Sequence, residues 1–305
     1  MGTGGVGGFF GAHLARAGNE ILFIARGRHL EALRSAGLRV KGPSHELLVS
    51  PVEAVEDPAT GGPVDLVLFC VKLYDTESAA RLVRPLLVGD TFLVSLQNGV
   101  DAVERLAPLL GAERVMAGTA YVSARIDSPG VIRYTGDMSW ILFGEADGRR
   151  SERAVRFRDI CIAAGFGADI SSDIEKTLWT KFVLLATNAA LSCLSRKPLG
   201  VVYGDPDLSA LAVEAIAEAV AVGRAKGVDL DPEVVSQSVE LARSLPADMF
   251  PSMYHDLMRG ARLELESFSA YIMKLGNELG VPTPIHRTAW ACLKSYREGS
   301  RPSRP

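Results

Sequence analysis

The first 26 residues, MGTGGVGGFFGAHLARAGNEILFIAR (1–26), decide the fold of the N-terminal half. They place Gly2, Gly4 and Gly7 in a GxGxxG pattern, followed by a helical stretch and an apolar run. In a dinucleotide-binding unit, the first glycine permits a tight turn, the second lets a pyrophosphate approach the backbone, and the third lets the helix pack closely on the sheet. Small-residue turns produce the same pattern, but the helix and strand that follow favour the phosphate-binding interpretation.

Such a loop normally follows a strand, and only Met1 precedes this one. The missing strand would be central in a sheet of order 3-2-1-4-5-6. Five buried apolar residues at about 1.5–3 kcal/mol each would contribute roughly the net stability of a whole domain. We therefore expect that Met1 is an internal residue of the natural product and that an apolar strand of about five residues precedes it.

Strand and helix patterns alternate through the first half of the chain. Nearly continuous apolar runs at 19–26, 63–72 and 91–100 are typical of strands buried on both faces of a parallel sheet. Helical patterns lie between them, which predicts an α/β Rossmann domain with a doubly wound, parallel-rich sheet. We place this domain at 1–170, with its first strand truncated.

The second half, 171–305, is predicted to be an all-α domain. Its clearest helix has Asp205 as N-cap, Pro206 at the first helical position and Gly227 as terminator. Further helices are expected after Pro232, Pro251 and Pro284, and no strand pattern is convincing here.

Composition restricts the classes of partner. A net charge of −3 in 305 residues gives no basic footprint for nucleic acid, and no basic amphipathic segment suggests a membrane surface. The four cysteines are far apart and form no metal-like pair, which is typical of reduced thiols in a cytosol. The apolar runs are too short or too interrupted to span a bilayer. We expect a cytoplasmic protein that binds small molecules and no metal.

The charge of Arg26 predicts the cofactor. It lies roughly 20 residues past the glycines, where the ribose-reading residue belongs. A carboxylate there would accept the 2′-hydroxyl of NAD, whereas a guanidinium, with Arg28 nearby, suits the 2′-phosphate of NADP. The alternative is that both arginines are solvated loop residues.

Lys72 and Asn98 each follow an apolar strand, so both should lie in the crevice at the carboxyl ends of the sheet, where ligands bind. Each has an alternative interpretation. The alternative for Lys72 is a solvated side chain at the end of a strand. The alternative for Asn98 is an Asx-type turn formed with Gly99.

Seven blocks along the chain, taken together, resemble the ketopantoate reductase (2-dehydropantoate 2-reductase) family. In chain order they are GTGGVGG, FIARGRHLEAL, CVKLYDT, SLQNGV, LWTKF, SMYHDLMRGARLELE and GVPTP. The resemblance implies a Rossmann domain joined to a helical domain like that of 6-phosphogluconate dehydrogenase, with the active site in the cleft between them. It also implies NADPH-dependent reduction of a 2-oxo acid to a 2-hydroxy acid.

The resemblance also implies site residues. Lys181 resembles the general acid, Glu264 its carboxylate partner at the substrate, and Asn98 a residue near the nicotinamide and substrate. Ser252 and Asp256 match polar positions of the substrate-side helix. The cofactor-binding set is Gly2, Gly4, Gly5, Val6, Gly7, Arg26, Lys72 and Asn98.

The chemistry of these residue types agrees with those roles. Hydride delivery to a carbonyl carbon creates an alkoxide, and a lysine is a protonated donor near neutral pH that can stabilise and then protonate that oxygen. A buried carboxylate would keep the lysine charged. Ser252, Asp256, Gly260 and Glu264 recur at every fourth residue, which predicts one polar stripe on a helix. Without the resemblance, a solvated helix face would be the preferred interpretation.

The chain departs from the family on the lysine helix. The family typically has asparagines four and eight residues after the lysine, and this chain has Leu185 and Ala189. Asn188, a substrate-binding candidate, lies seven residues after Lys181, and Ser192 continues the same stripe. Either Asn188 and Ser192 replace the missing substrate contacts, or their position on this stripe is a coincidence. The sequence therefore determines the type of reaction better than the identity of the substrate.

The sequence therefore predicts NADPH-dependent reduction of ketopantoate to pantoate, in pantothenate and coenzyme A biosynthesis. One alternative is a reductase of another 2-oxo acid. A second is a non-catalytic NADP-binding regulator, against which the retention of Lys181 and Glu264 argues. The sequence leaves the oligomeric state open, including a homodimer.

Overall fold

The computed structural model describes residues 1–300 and divides into two compact units, Met1–Ile174 and a second unit that begins at Glu175. The first unit has two β-sheets, the larger of them mixed and mostly parallel, together with helices, and the second unit is helical, which confirms the predicted fold class. The strands of the first unit are β1 (Leu22–Ile24), β2 (Leu38–Lys41), β3 (Glu46–Val49), β4 (Glu53–Val55), β5 (Leu66–Phe69), β6 (Phe92–Ser95), β7 (Val115–Ser128), β8 (Val131–Gly144) and β9 (Gly167–Ile170). Its helices are α1 (Gly5–Arg16), α2 (Gly27–Ala36), α3 (Thr76–Val83), α4 (Ala102–Leu110) and α5 (Glu152–Ala163).

Side chains of β5 alternate between two hydrophobic cores. Val67 and Phe69 pack with buried residues of α3 and α4, whereas Leu66 and Leu68 pack against the core that contains α1 and α5. Strands β5, β6 and β7 run parallel to one another. Helices on both faces of parallel strands are the doubly wound arrangement that the continuous apolar runs predict.

The strands form two sheets, and the first three residues lie between them. One sheet contains β1 and β4, and the other has the order β3-β2-β8-β7-β6-β5, with β9 on β8. The Met1 amino group donates to the Leu68 carbonyl at 2.8 Å, and the Cys70 amide donates to the Met1 carbonyl at 2.9 Å. On the other side, the Thr3 amide donates to the Ile24 carbonyl at 3.0 Å. Residues 1–3 thus bridge β1 and β5 at the centre of the predicted order, and the expected upstream strand stays a prediction.

The second unit contains α6 (Ile174–Ser195), α7 (Leu199–Gly204), α8 (Pro206–Ala225), α9 (Val234–Ser244), α10 (Ser252–Arg259), α11 (Ser269–Leu279) and α12 (Pro284–Leu293). Helix α8 begins as predicted, because the Asp205 carboxylate accepts hydrogen bonds from the amides of Asp207 and Leu208. By length and composition, α6 is apolar enough to cross a membrane, contrary to the expectation that every apolar run is too short or interrupted. However, 67% of its apolar window is buried inside the structure, which is typical of the core helix of a soluble protein.

Candidate active site residues in the two units

The glycine loop contains two kinds of glycine. Gly2 has φ +88°, and a Cβ there would lie 2.9 Å from the Val71 amide nitrogen; a Cβ on Gly7 would lie 2.3 Å from the Gly2 carbonyl oxygen. The fold alone therefore requires these two glycines. At Gly4, by contrast, a Cβ would meet no atom within 4 Å. Gly4 precedes the first residue of α1, so the space beside it lies at a helix N-terminus, where a phosphate group is stabilised.

The next two loop residues face the protein. A Cβ on Gly5 would lie 2.1 Å from the Ala124 carbonyl oxygen in β7. Val6 is half-buried against the core of the first unit. Close packing of α1 on β7 accounts for Gly5 without a ligand.

Arg26 lies at the end of β1 and is the N-cap residue of α2. Its guanidinium Nη2 lies 3.1 Å from Asp75 Oδ2, and its side chain is 76% exposed. An exposed guanidinium has further N–H donors available to a phosphate oxygen. The pairing with Asp75 is a feature that sequence spacing did not reveal, since the two residues are 49 positions apart.

A buried glutamine joins the segments that carry Lys72 and Asn98. Gln97 Nε2 donates to the Val71 carbonyl at 3.2 Å and to the Thr76 hydroxyl at 2.8 Å. Lys72 and Asn98 are half-buried and directly follow Val71 and Gln97, the two residues that the first of these bonds joins. The structure therefore places both residues at the carboxyl ends of neighbouring parallel strands, β5 and β6, as the sequence predicts. Gln97 itself was missed, because an amide next to a glycine turn has no distinctive pattern.

Lys181 lies on α6 and is half-buried. Burial lowers the pKa of its ammonium group to about 8, because a charged amine is disfavoured away from water. An amine with this pKa is still mainly protonated at pH 7 and releases its proton more readily than an exposed lysine. The Nζ atom of Lys176, five residues earlier on the same helix, lies 3.9 Å from Asp229 Oδ2, and the Lys176 side chain is 37% exposed.

The polar residues that follow Lys181 on α6 are buried. Asn188 is 7% exposed, and its Oδ1 accepts a hydrogen bond of 2.6 Å from the Tyr203 hydroxyl of α7. Ser192 is fully buried, and its hydroxyl has no hydrogen-bond partner within residues 1–300. Leu185 is half-buried and Ala189 is buried. Of the two shifted polar residues, Asn188 is thus the one with a defined orientation.

The predicted polar stripe on one helix is wrong. Helix α10 begins at Ser252 and ends at Arg259, and Gly260 adopts a left-handed conformation with φ +69° at its C-terminus. A left-handed residue stops the helical hydrogen bonding, so Glu264 lies in the non-helical segment that follows. Glu264 is nevertheless buried, and so is Asp256, whose Oδ1 lies 2.5 Å from Arg259 Nη2. Ser252, the first residue of α10, is exposed.

No group of three or more histidine, cysteine or carboxylate side chains that could hold a metal ion occurs in the part of the chain that the structure describes. The four cysteines are free thiols.

A GxGxxG loop at a helix N-terminus in an α/β unit, followed by a helical unit with a half-buried lysine and a buried glutamate, is typical of the class of NAD(P)-dependent oxidoreductases. Comparisons with known proteins identify the family. The model for ketopantoate reductase PanE/ApbA matches residues 1–148, and the model for the PanE/ApbA C-terminal domain matches residues 173–297. The chain belongs to the ketopantoate reductase family.

Individual relatives cover nearly the whole chain. A 2-dehydropantoate 2-reductase of Archaeoglobus fulgidus is 32% identical over 300 residues, which are 98% of this chain and 97% of the relative. The crystal structure of a PanE/ApbA family ketopantoate reductase from Ralstonia eutropha has a TM-score of 0.90 and 33% identity, covering 97% of each chain. D-mandelate dehydrogenase in ternary complex with NADH and anilino(oxo)acetate also has a TM-score of 0.90, at 20% identity, covering 97% of this chain and 96% of that enzyme. The last likeness shows the fold alone.

Proposed function

We propose that this chain is a cytoplasmic, NADPH-dependent reductase of a 2-oxo acid, with ketopantoate as the first candidate substrate and pantothenate and coenzyme A biosynthesis as its context. The observation that carries the proposal is the half-buried Lys181 with a pKa of about 8 on α6, in a chain of the ketopantoate reductase family. Burial of a charged amine costs folding stability, and groups with strongly shifted pKa values cluster at functional sites, so Lys181 is the candidate proton donor.

The residues of the first unit fit a dinucleotide. The open space at Gly4 admits a pyrophosphate beside the N-terminus of α1, and the exposed Arg26 guanidinium suits a 2′-phosphate. Lys72 and Asn98, held at the carboxyl ends of β5 and β6, would complete the cofactor site. The bound cofactor supplies the hydride for the carbonyl carbon of the substrate.

The residues of the second unit supply the proton. Lys181 donates a hydrogen bond to the carbonyl oxygen, stabilises the negative charge that develops there, and then transfers its proton. Glu264 is the proposed carboxylate partner that holds the amine in its charged form. Ser252, Asp256 and Asn188 are the proposed substrate contacts. The reaction consumes one 2-oxo acid, one NADPH and one proton, and it yields a 2-hydroxy acid and NADP⁺.

The second candidate function is the reduction of a different 2-oxo acid, because Leu185 and Ala189 replace the asparagines typical of the family. An apolar side chain rejects a polar substrate group much less specifically than an amide selects for it. A non-catalytic NADP-binding regulator is the third possibility, and it gives no reason for retaining Lys181.

NADPH oxidation by the purified protein, measured against a panel of 2-oxo acids that includes ketopantoate and 2-oxoisovalerate, tests the proposal. We expect turnover with at least one member and the highest kcat/KM with ketopantoate. Cofactor binding without turnover on any member would favour the regulator. A much higher kcat/KM for another member would identify a different substrate.

A further inference from the structure

The hydrogen bond between Tyr203 and Asn188 fixes what Asn188 can offer to a ligand. A neutral amide carries one acceptor oxygen and one NH₂ group with two donors. Its Oδ1 already accepts the Tyr203 hydroxyl at 2.6 Å, and both side chains are buried. This bond fixes the oxygen end of the amide towards Tyr203, so the opposite end of the Asn188 side chain is the NH₂ group, which can only donate.

Burial also keeps Tyr203 in the state that this bond requires. It raises the pKa of the Tyr203 hydroxyl above its ordinary value, so the phenol stays protonated. A protonated phenol has an O–H group that it donates to the amide oxygen. The amide cannot rotate by half a turn without losing this bond and facing the phenol with its own donors.

Helix α7, which carries Tyr203, is hydrogen-bonded to the segment that precedes α10. The Leu199 amide donates to the Met249 carbonyl at 2.9 Å, and the Gly200 amide donates to the Ala247 carbonyl at 3.0 Å. A Cβ on Gly200 would lie 2.6 Å from Ala247 Cβ, so the two segments are in close contact. These contacts fix the backbone of α7, from which the Tyr203 hydroxyl reaches Asn188.

Asn188 lies on the same face of α6 as Lys181. Seven residues are nearly two turns, which places the two Cα atoms about 10 Å apart along the axis. The family's second asparagine, eight residues after the lysine, belongs to the same span of helix. A substrate that reaches from the amine towards Asn188 would therefore meet a fixed hydrogen-bond donor.

We propose that Tyr203 is a positioning residue for specificity, which orients Asn188 so that its NH₂ group donates to an oxygen atom in the tail of the substrate. This inference rests on the proposed function and extends it. The substrate class is a 2-oxo acid with a hydrogen-bond acceptor beyond its reacting carbonyl, such as the 4-hydroxyl of ketopantoate. Asn188 and Tyr203 together take the place of the amides missing at Leu185 and Ala189.

The test compares ketopantoate with 2-oxoisovalerate, which lacks the hydroxyl. We expect Tyr203→Phe to lower kcat/KM for ketopantoate about fivefold to tenfold, mainly by raising KM. The same variant should change kcat/KM for 2-oxoisovalerate by less than about twofold. Asn188→Asp keeps an acceptor for Tyr203 but removes the NH₂ donor, so it should lose the preference for ketopantoate altogether. In the double variant Tyr203→Phe/Asn188→Ala, the loss should equal that of Asn188→Ala alone, because Tyr203 acts through Asn188.

Tyr296→Phe, which removes a hydroxyl from another tyrosine of the second unit, is the matched control. It should leave kcat/KM for both substrates unchanged. Equal losses on both substrates in Tyr203→Phe would give Tyr203 a merely structural role and overturn the inference. So would a wild-type protein with no preference between the two substrates.

Binding of the same two acids to the NADP⁺-loaded protein, measured by calorimetry, keeps the two proposals separate. If neither acid turns over, the proposed function fails. The inference then stands only if ketopantoate binds more tightly than 2-oxoisovalerate and Tyr203→Phe removes that difference. Equal binding of the two acids by the wild type overturns it.

Discussion

The glycine loop of the first unit and helix α6 of the second differ in how much of their sequence the fold explains. In the loop, Gly2 and Gly7 are required sterically, because any side chain would collide with Val71 or with the loop backbone. On α6, the burial of the Lys181 ammonium group opposes folding. Its pKa is lowered from 10.5 to about 8, so the protonated amine destabilises the folded state at every pH below about 8, and this cost is relieved as the pH rises towards 10.5.

The comparison teaches that the residues which the fold does not need are the better reporters of function. Gly4 belongs with Lys181 in this respect, since a side chain there would meet no atom within 4 Å. Substitutions should therefore separate two kinds of position. Some should impair stability and binding together, and others should impair function alone.

The largest effect is expected at Lys181. Lys181→Ala should lower kcat by about 10²–10⁴, which is the range for a positioned general acid, while the affinity for NADPH stays near that of the wild type. Lys181→Met should be equally inactive but melt no lower than the wild type, because it removes a buried charge and keeps the apolar stem. Steady-state kinetics and thermal melting check both. Lys176→Ala is the control, and if it proved the more damaging change, the assignment of the general acid would be wrong.

Within the glycine loop, Gly7→Ala and Gly4→Ala should differ. Gly7→Ala should lower the melting temperature and weaken NADPH binding by about 10²-fold, because its methyl group collides with the Gly2 carbonyl. Gly4→Ala should keep the melting temperature and weaken binding about tenfold, because its methyl group occupies the space proposed for the pyrophosphate. Fluorescence titration with NADPH and thermal melting measure the two effects. Unchanged NADPH affinity in Gly4→Ala would contradict the proposed position of the pyrophosphate.

Arg26→Ala should raise KM for NADPH by about 10- to 30-fold and leave KM for NADH almost unchanged, because only NADPH carries the 2′-phosphate that the guanidinium is proposed to bind. Kinetics with both cofactors at a saturating 2-oxo acid concentration check this prediction. Asp75→Asn, which removes the carboxylate that pairs with Arg26, should slightly raise the ratio of kcat/KM with NADPH to kcat/KM with NADH. Equal losses for both cofactors in Arg26→Ala would assign Arg26 a structural role.

A change of pH should have one of the smaller effects. Reduction needs the protonated amine of Lys181, whose pKa is about 8, so kcat/KM should fall about tenfold between pH 7 and pH 9. The reverse oxidation needs the neutral amine and should rise over the same interval. In Lys181→Arg the residual reductase activity should not fall between pH 7 and pH 9, since a guanidinium stays charged over this whole interval. If kcat/KM of Lys181→Arg still fell with a midpoint near pH 8, the titrating group would be another residue.

Much of the fold was predictable because it depends on local patterns. Continuous apolar runs predicted the buried strands, and Asp205 with Pro206 predicted the start of α8. The error at Glu264 shows the limit of such patterns. Residues spaced by four share a helix face only while the helix continues, and the left-handed conformation of Gly260 ends it after Arg259. A glycine within a helical pattern is compatible with either outcome, and the contacts of the surrounding segments settle it.

The sequence by itself determined the α/β and all-α halves, the glycine loop, the family and the candidate lysine, because periodicity and motif spacing are properties of neighbouring residues. Only the tertiary structure decided which of these residues meet. The Arg26–Asp75 ion pair, the Gln97 bonds beside Lys72 and Asn98, and the Tyr203–Asn188 bond join residues 15 to 49 positions apart or lie between separate strands. The orientation of a side chain and the pKa of a buried amine depend on such contacts and on the loss of water, and neither is present in the order of the amino acids.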